Sequence, residues 1–293
     1  MIGSALATSL AASGHRVVRL VRGGARGAAP EVSWDPAAGV VDAASLEGLD
    51  AVIHLAGENI GAKRWTAARK AAIRDSRSRG TRLLCETLAR LDRPPKVLLC
   101  ASAVGYYGDR GDETLDESAP RGVGFLAEVC GAWEAATEPA ARRGIRVALL
   151  RFGVVLSASG GALPRMLVPF RLGLGGRVGS GRQWMSWVTL DDAVAAIRFA
   201  LLESALERAV NVVAPEPVTN RTFTRILGRV LGRPALLPAP GFALRLALGE
   251  MAGELLLASQ RVRPARLLEA GFEFRHADLE GALRHELGIP RAR

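Results

Sequence analysis

The sequence predicts an α/β fold, a parallel sheet with helices on both faces followed by a smaller C-terminal lobe. Three observations carry this expectation. Short runs rich in Val, Ile and Leu alternate with longer segments of helical periodicity through the first half of the 293-residue chain. Those runs are apolar almost throughout rather than at every second position, as strands buried on both faces are. After about residue 157 the pattern changes to Gly- and Pro-rich connections, GGALPRMLVPFRLGLGGRVGSGRQW, and then to further helices.

Taken in order, residues 2–13 place Ile2, Leu6 and Leu10 on one helical face and stop at Gly14, whose missing Cβ suits a left-handed helix end. A strand follows at 15–21. Further strands are expected at 50–55, 96–101 and 146–151, with helices at 66–91 and 126–143 between them. Residues 189–203, TLDDAVAAIRFALLE, open with Thr189 three positions before Asp192, a capping box, and carry Val194, Ile197 and Leu201 on one face. A strand near 209–213 is expected to return to the first sheet. The division that results is a first domain over 1–157 with a returning segment near 186–215, and a second lobe formed mainly by 158–293.

Composition narrows the function. The net charge of +10 comes from arginines scattered along the chain, since Lys63, Lys70 and Lys96 are the only lysines among 39 basic residues. No stripe of basic residues interleaved with aromatics appears, so no nucleic-acid partner is expected. Apolar stretches such as 147–150 and 255–258 are far shorter than the ~20 residues of a membrane span, and residues 1–14 lack a signal-peptide pattern. Cys85, Cys100 and Cys130 are widely spaced without CxxC or a neighbouring His cluster, which predicts no disulfide framework, no metal and a reducing, cytoplasmic setting.

Several segments carry a resemblance: WDP at 34–36, HLAGENI at 54–60, RW at 64–65, SR at 76–77, ASAVGYYGDRGD at 101–112 and GFLAEVCGAWE at 124–134. They continue with RFGVVLS at 151–157, GGALPRM at 160–166, GSGRQWMSWV at 179–188 and RVRPARLLEAGFEFRHADLEGAL at 261–283. Together they resemble the atypical, epimerase-like branch of the extended short-chain dehydrogenases, which ends in a small domain of unknown function. The resemblance implies a Rossmann-type dinucleotide-binding domain over 1–157, with a substrate lobe and the family domain in 158–293. Gly3 stands where the third glycine of a GxxGxxG turn would be, so the first strand and two earlier glycines are expected to be missing from the chain, weakening its phosphate cradle.

Cofactor contacts follow position by position from that resemblance. Ile2 and Gly3 would face the pyrophosphate, and Leu55, Ala56 and Gly57 would lie along the adenosine. Ala101 and Ser102 would border the nicotinamide. Arg22 ends the second strand, where an Arg would meet a 2′-phosphate in place of an acidic residue on a 2′-hydroxyl. NADP is the expected cofactor, with NAD the alternative; a solvent-facing Arg is the plainer reading of that position.

The chemistry is less complete. Ser102 fits the serine that hydride-transferring relatives place after this strand, but no lysine follows Lys96 and the only tyrosines are Tyr106 and Tyr107, so the usual Tyr-x-x-x-Lys pair is absent. Tyr106 with Arg110 four residues on would be a substitute only if the loop allowed it. Tyr107 is expected near the nicotinamide, and Glu128 and Cys130 are the remaining proton-transfer candidates. Arg182, Gln183, Trp184 and Trp187 offer a cation, an amide and aromatic surface to a small-molecule substrate, with a nucleotide sugar as the class the resemblance implies. The Trp residues read equally well as loop and core packing. Arg151 ends a strand beside this site, as an anion contact or as a buried ion-pair partner. The chain therefore reads either as an NADP(H)-binding oxidoreductase or epimerase-like protein, or as a non-catalytic sensor on the same fold.

Overall fold

The computed structural model describes residues 1–23 and 30–290. Four parallel strands form its centre: β4 (Ala51–His54), β5 (Val97–Ala103), β7 (Arg146–Phe152) and β11 (Arg208–Val212), in the order β11-β7-β5-β4. The sequence VLLCASA explains why β5 sits inside this sheet, because six of its seven residues are buried and neither face could meet water. A second ladder joins β1 (Arg19–Val21), β2 (Glu31–Asp35) and β3 (Val40–Val41), with β1 and β2 parallel and β2 and β3 antiparallel. Among the described residues, β1 and β4 each pair on one side only, so the expected single sheet is present as two ladders.

Helices cover both faces. On one side α1 (Ile2–Ala12) lies against α6 (Leu190–Leu202), with Leu6, Leu10 and Ile197 buried between them and the sheet. Arg198 of α6 ties the pair together by donating to Ser9 Oγ at 2.7 Å and Ser13 Oγ at 2.9 Å. On the other side α2 (Ala67–Arg90) packs against α3 (Phe125–Ala135) and α4 (Glu138–Arg142), burying Leu84, Leu88, Ala140 and Ile145. Thr66 caps α2 by accepting from the Arg69 amide at 3.1 Å, as its position before the helical run suggests.

Beyond shifts of one or two residues at element ends, three features differ from the sequence reading. The strand expected at 15–21 has a ladder only over Arg19–Val21. The helix expected at 126–143 is two helices, because Pro139 has no N–H to donate to Ala135 and instead starts α4 in its first turn. At 189–203 Thr189 does accept from Asp192 N at 3.1 Å, but the Asp192 side chain is not the reciprocal half of a capping box. Its fully buried carboxylate accepts instead from the amides of Arg275 at 2.9 Å and His276 at 3.0 Å.

The second half builds its own core around Trp187, Leu163, Leu167, Phe170, Phe223, Leu227, Leu279 and Leu283. These residues come from α5 (Leu163–Arg171), α7 (Asn220–Leu231), α11 (Leu279–Leu287) and β10 (Trp187–Thr189), which pairs in parallel with β8 (Val154–Leu156). Two more short ladders follow: β12 (Val218–Thr219) on β9 (Trp184–Met185) within the second half, and β13 (Arg261–Val262) on β6 (Thr114–Leu115), which joins the halves. The remaining helices are α8 (Gly241–Leu248), α9 (Glu250–Ala252), which runs into a π-helical turn over Gly253–Leu257, and α10 (Ala265–Glu269). No described helix is long and apolar enough to cross a membrane.

Candidate functional site

The site lies at the carboxyl ends of the parallel strands, where open α/β sheets bind ligands. α1 begins there. Its N-cap Met1 makes no side-chain capping bond, its first turn holds no acidic residue, and Gly3 faces the Leu55 side chain just beyond β4. Helix amides at such an end are unpaired donors at the positive pole of the helix dipole, which suits an anion. Ile2 is half-buried against the core, which fixes the direction of that end.

Beyond β4, Leu55 is half-buried while Ala56 and Gly57 are exposed. Arg77 of α2 reaches under this loop, donating through Nη1 to Glu58 O at 3.0 Å and to Ile73 O at 3.1 Å, with its guanidinium 4.9 Å from the Trp133 ring centre. A Cβ on Gly57 would stand 3.2 Å from Arg77 Cζ, so the loop approaches the guanidinium closely because position 57 has no side chain. The Glu58 carboxylate accepts from Arg69 Nη1 at 2.7 Å; that bond first, with the charges of Arg69, Arg22 and Arg77 besides, holds its pKa below the usual range. Three guanidiniums against one carboxylate leave this mouth electropositive. Arg22 is exposed just after β1.

Strand register assembles the second part. Ser102 on β5, Arg151 on β7 and Asn211 on β11 are cross-strand partners, so their side chains share one level and one face. Glu134 of α3 completes the group: Arg151 donates to its carboxylate through Nε and Nη2, both at 2.8 Å, and Ser102 Oγ donates to it at 2.7 Å. Arg151 Nη1 donates to Tyr107 Oη at 2.9 Å, and Tyr107 in turn donates to Asn211 Oδ1 at 2.7 Å. The Tyr106 ring lies beneath the guanidinium, 3.5 Å from its carbon. Burial alone would lower the pKa of Arg151, but the Glu134 hydrogen bonds and charge outweigh it and raise the pKa above its ordinary value. Burial pushes the Tyr107 phenol up to about 12, with the Arg151 charge opposing.

Several expected roles change on this geometry. Three of the five N–H groups of Arg151 bond inside the protein and its side chain is buried, which favours the ion-pair reading of this residue over the anion contact. Tyr107 is fully buried in the same network and offers no free hydroxyl to a ligand. Arg110 is bound to Glu113 at 2.6 and 2.8 Å and does not serve Tyr106. Glu128 points to solvent, while Cys130 is buried with its thiol pushed up to about 12 by burial.

On the substrate side, Trp187 is a core side chain with no exposure, its indole N–H donating to Glu216 O at 3.1 Å. Gln183 is also buried and bridges Val178 O and Leu256 O, both at 3.0 Å, so it shapes the loop rather than facing a ligand. Trp184 remains half-exposed, held by Asp112 at 2.8 Å and by Arg261 stacked 4.3 Å from its ring, and Arg182 is exposed beside it. Sequence reasoning missed Glu134, Asn211, Arg77 and Glu254. Glu254 closes the amino end of α3 by accepting from Phe125 N at 3.2 Å and Leu126 N at 3.1 Å. A Cβ on Gly124 would meet Glu254 Oε1 at 2.5 Å, so a glycine before α3 was the available signal.

Comparison with known proteins agrees with this architecture. Residues 1–213 match the family described as NAD dependent epimerase/dehydratase, and residues 239–286 match a domain of unknown function, DUF1731. An epimerase family protein of Mycobacterium bovis is 47% identical over 283 residues, 97% of this chain and 93% of its own. The crystal structure of human epimerase family protein SDR39U1 (isoform 2) with NADPH superposes with a TM-score of 0.88 at 33% identity, covering 98% of this chain and 96% of that one. MoeE5 in complex with UDP-glucuronic acid and NAD, at 20% identity and a TM-score of 0.76 over 98% of this chain and 94% of its own, shows the same fold.

Proposed function

Since the chain belongs to the NAD-dependent epimerase/dehydratase family, we propose that it binds NADP(H) across the carboxyl ends of β4 and β5 and acts as an oxidoreductase or epimerase on a small-molecule substrate. The observation that carries this reading is the uncapped amino end of α1 beside an electropositive mouth. The first-turn amides point where a pyrophosphate would lie, and no acidic side chain of that turn competes for them. Arg22 would pair with a 2′-phosphate, and Ala56 and Gly57 would leave room for the adenosine ring. The NADPH named with the human relative supports the same preference.

When bound, the nicotinamide supplies or accepts hydride at a substrate carbon. The chain's own contribution centres on Ser102. Its hydroxyl proton points to Glu134, so its oxygen is left to accept from a substrate hydroxyl with a carboxylate behind it. Arg151 holds that carboxylate in place through two hydrogen bonds, and the exposed Arg182 with the half-exposed Trp184 suits a phosphate joined to a ring. A nucleotide sugar is the substrate class these two residues favour, with the MoeE5 complex as the supporting likeness in fold. The three buried thiols fit a reducing, cytoplasmic location.

NADPH titration followed by nicotinamide fluorescence tests the binding; absence of saturation at millimolar cofactor would reject it. A second reading, a non-catalytic NADP(H) sensor, is favoured by one observation, that the Tyr107 hydroxyl is spent inside the Arg151–Asn211 network. Hydride transfer to a carbonyl compound that disappears in Ser102→Ala would exclude the sensor; its absence across a carbonyl library, together with no epimerised product from a panel of nucleotide sugars, would exclude the enzyme.

A further inference from the structure

We propose that Asp191, His276 and His285 form a binding site for a divalent transition-metal ion, zinc by donor chemistry, that fastens the C-terminal helix α11 to α6. One ligand atom from each of the three lies within 4.8 Å of the others. His285 Nε2 already stands 2.8 Å from Asp191 Oδ2, and the His276 and His285 rings stack with centres 4.2 Å apart at 26°. Zinc–ligand bonds of about 2.0–2.1 Å hold donors roughly 3.3 Å apart in a tetrahedron. The three donors therefore have to draw in by about 1.5 Å at most, and the two stacked rings have to turn apart, to hold the ion.

The backbone is fixed at each ligand by a carboxylate next to another one. Asp192, beside Asp191, accepts from the His276 amide at 3.0 Å, and it is fully buried. Glu286, beside His285, accepts from Leu190 N, the amide next to Asp191, at 3.3 Å. These crossed anchors hold the three ligand-bearing segments together before any ion arrives, which is the preorganisation that metal sites need. They also bring together residues 94 positions apart in the chain.

Donor chemistry selects the ion. Two imidazoles and one carboxylate, with an open side toward solvent, are a zinc ligand set, whereas calcium and magnesium take oxygen ligands throughout. His285 lies in the last turn of α11, where the negative helix end favours a cation. Arg284, the nearest cation along the helix, is occupied by Glu280 at 3.0 Å and does not oppose the ion.

The test uses the full chain, freed of metal with a chelator and titrated with zinc chloride by calorimetry, with cobalt(II) as an absorbing stand-in. The expected result is one zinc per chain, visible ligand-field bands with cobalt, and a melting temperature that rises with zinc and returns with EDTA. His276→Gln and His285→Gln should each weaken zinc about tenfold or more, the loss expected when metal-site partners are removed. His15→Gln, on an exposed histidine far from the cluster in sequence, should not. Asp191→Asn changes one exposed side chain and should show the same loss if either histidine variant fails to fold. Binding of copper(II) or nickel(II) but not zinc would overturn the assignment, as would no zinc-dependent heat or melting shift, or zinc affinity unchanged in all three variants.

Discussion

Arg151 and Glu134 form a two-pronged ion pair inside the core, both bonds at 2.8 Å, with Arg151 at 4% and Glu134 at 10% side-chain exposure. Strand register places the arginine and helix α3 delivers the carboxylate, so the pair joins the sheet to the helix that faces the site. Two charges taken out of water in this way stabilise little by themselves, but removing one leaves the other stranded.

Arg151→Met should therefore destabilise the protein by about 3–5 kcal/mol, the cost of an uncompensated buried charge. The double variant Arg151→Met with Glu134→Leu should recover most of that loss. Chemical denaturation of the two singles and the double closes the cycle, and additive losses would contradict a coupled pair.

His54 supplies a pH dependence of defined sign. It is buried at the end of β4 with Nε2 3.0 Å from Thr81 Oγ1, and burial lowers its pKa from 6.5 to about 4. Between those values the unfolded chain binds one proton more than the folded one. Stability contributed by the neutral ring is thus complete above pH 6.5 and lost as pH falls toward 4, on the order of 3 kcal/mol in all. Urea midpoints at pH 7 and pH 4 for the protein and for His54→Gln should show a smaller acid loss in the variant.

The three thiols should be silent in the native state. Cys85, Cys100 and Cys130 are all buried, and burial raises each pKa, to about 12 for Cys85 and Cys130. Ellman's reagent at pH 8 should find no rapidly reacting thiol in the folded chain and three after denaturation. A fast native reaction would show that one of these thiols is open to solvent.

How much of this was legible in the sequence depends on distance along the chain. The VLLCASA run of β5 and the Thr66 and Thr189 caps are local, and local chemistry was enough to place them. The break at Pro139 was visible too, but the apolar periodicity on either side of it masked the missing amide. Glu134 was not legible as a partner of Arg151, because the pairing depends on where α3 crosses the sheet. Arg151 could be read as an anion contact or a buried pair, and it is the carboxylate brought by α3 that favours the pair. Trp187 and Gln183 lie in a Gly-rich segment that looks solvent-facing, yet the second core takes up one and the loop backbone the other. His276 and His285 gave no metal signal because their third ligand, Asp191, comes from a different helix.

Gly57→Ala should separate binding from stability. The added methyl would press on Arg77 at 3.2 Å and shift the 55–58 loop by a few tenths of an ångström. NADPH affinity should fall several-fold while the melting temperature changes little, and equal NADPH affinity in the variant would show that this loop does not touch the cofactor.

The central claim, that the amino end of α1 and the exposed Arg22 hold a phosphorylated dinucleotide, is tested most directly by parallel NADPH and NADH titrations of the protein and of Arg22→Ala. Saturable binding that favours NADPH, with the preference lost in the variant, is the predicted result. No binding of either nucleotide at millimolar concentration would contradict it.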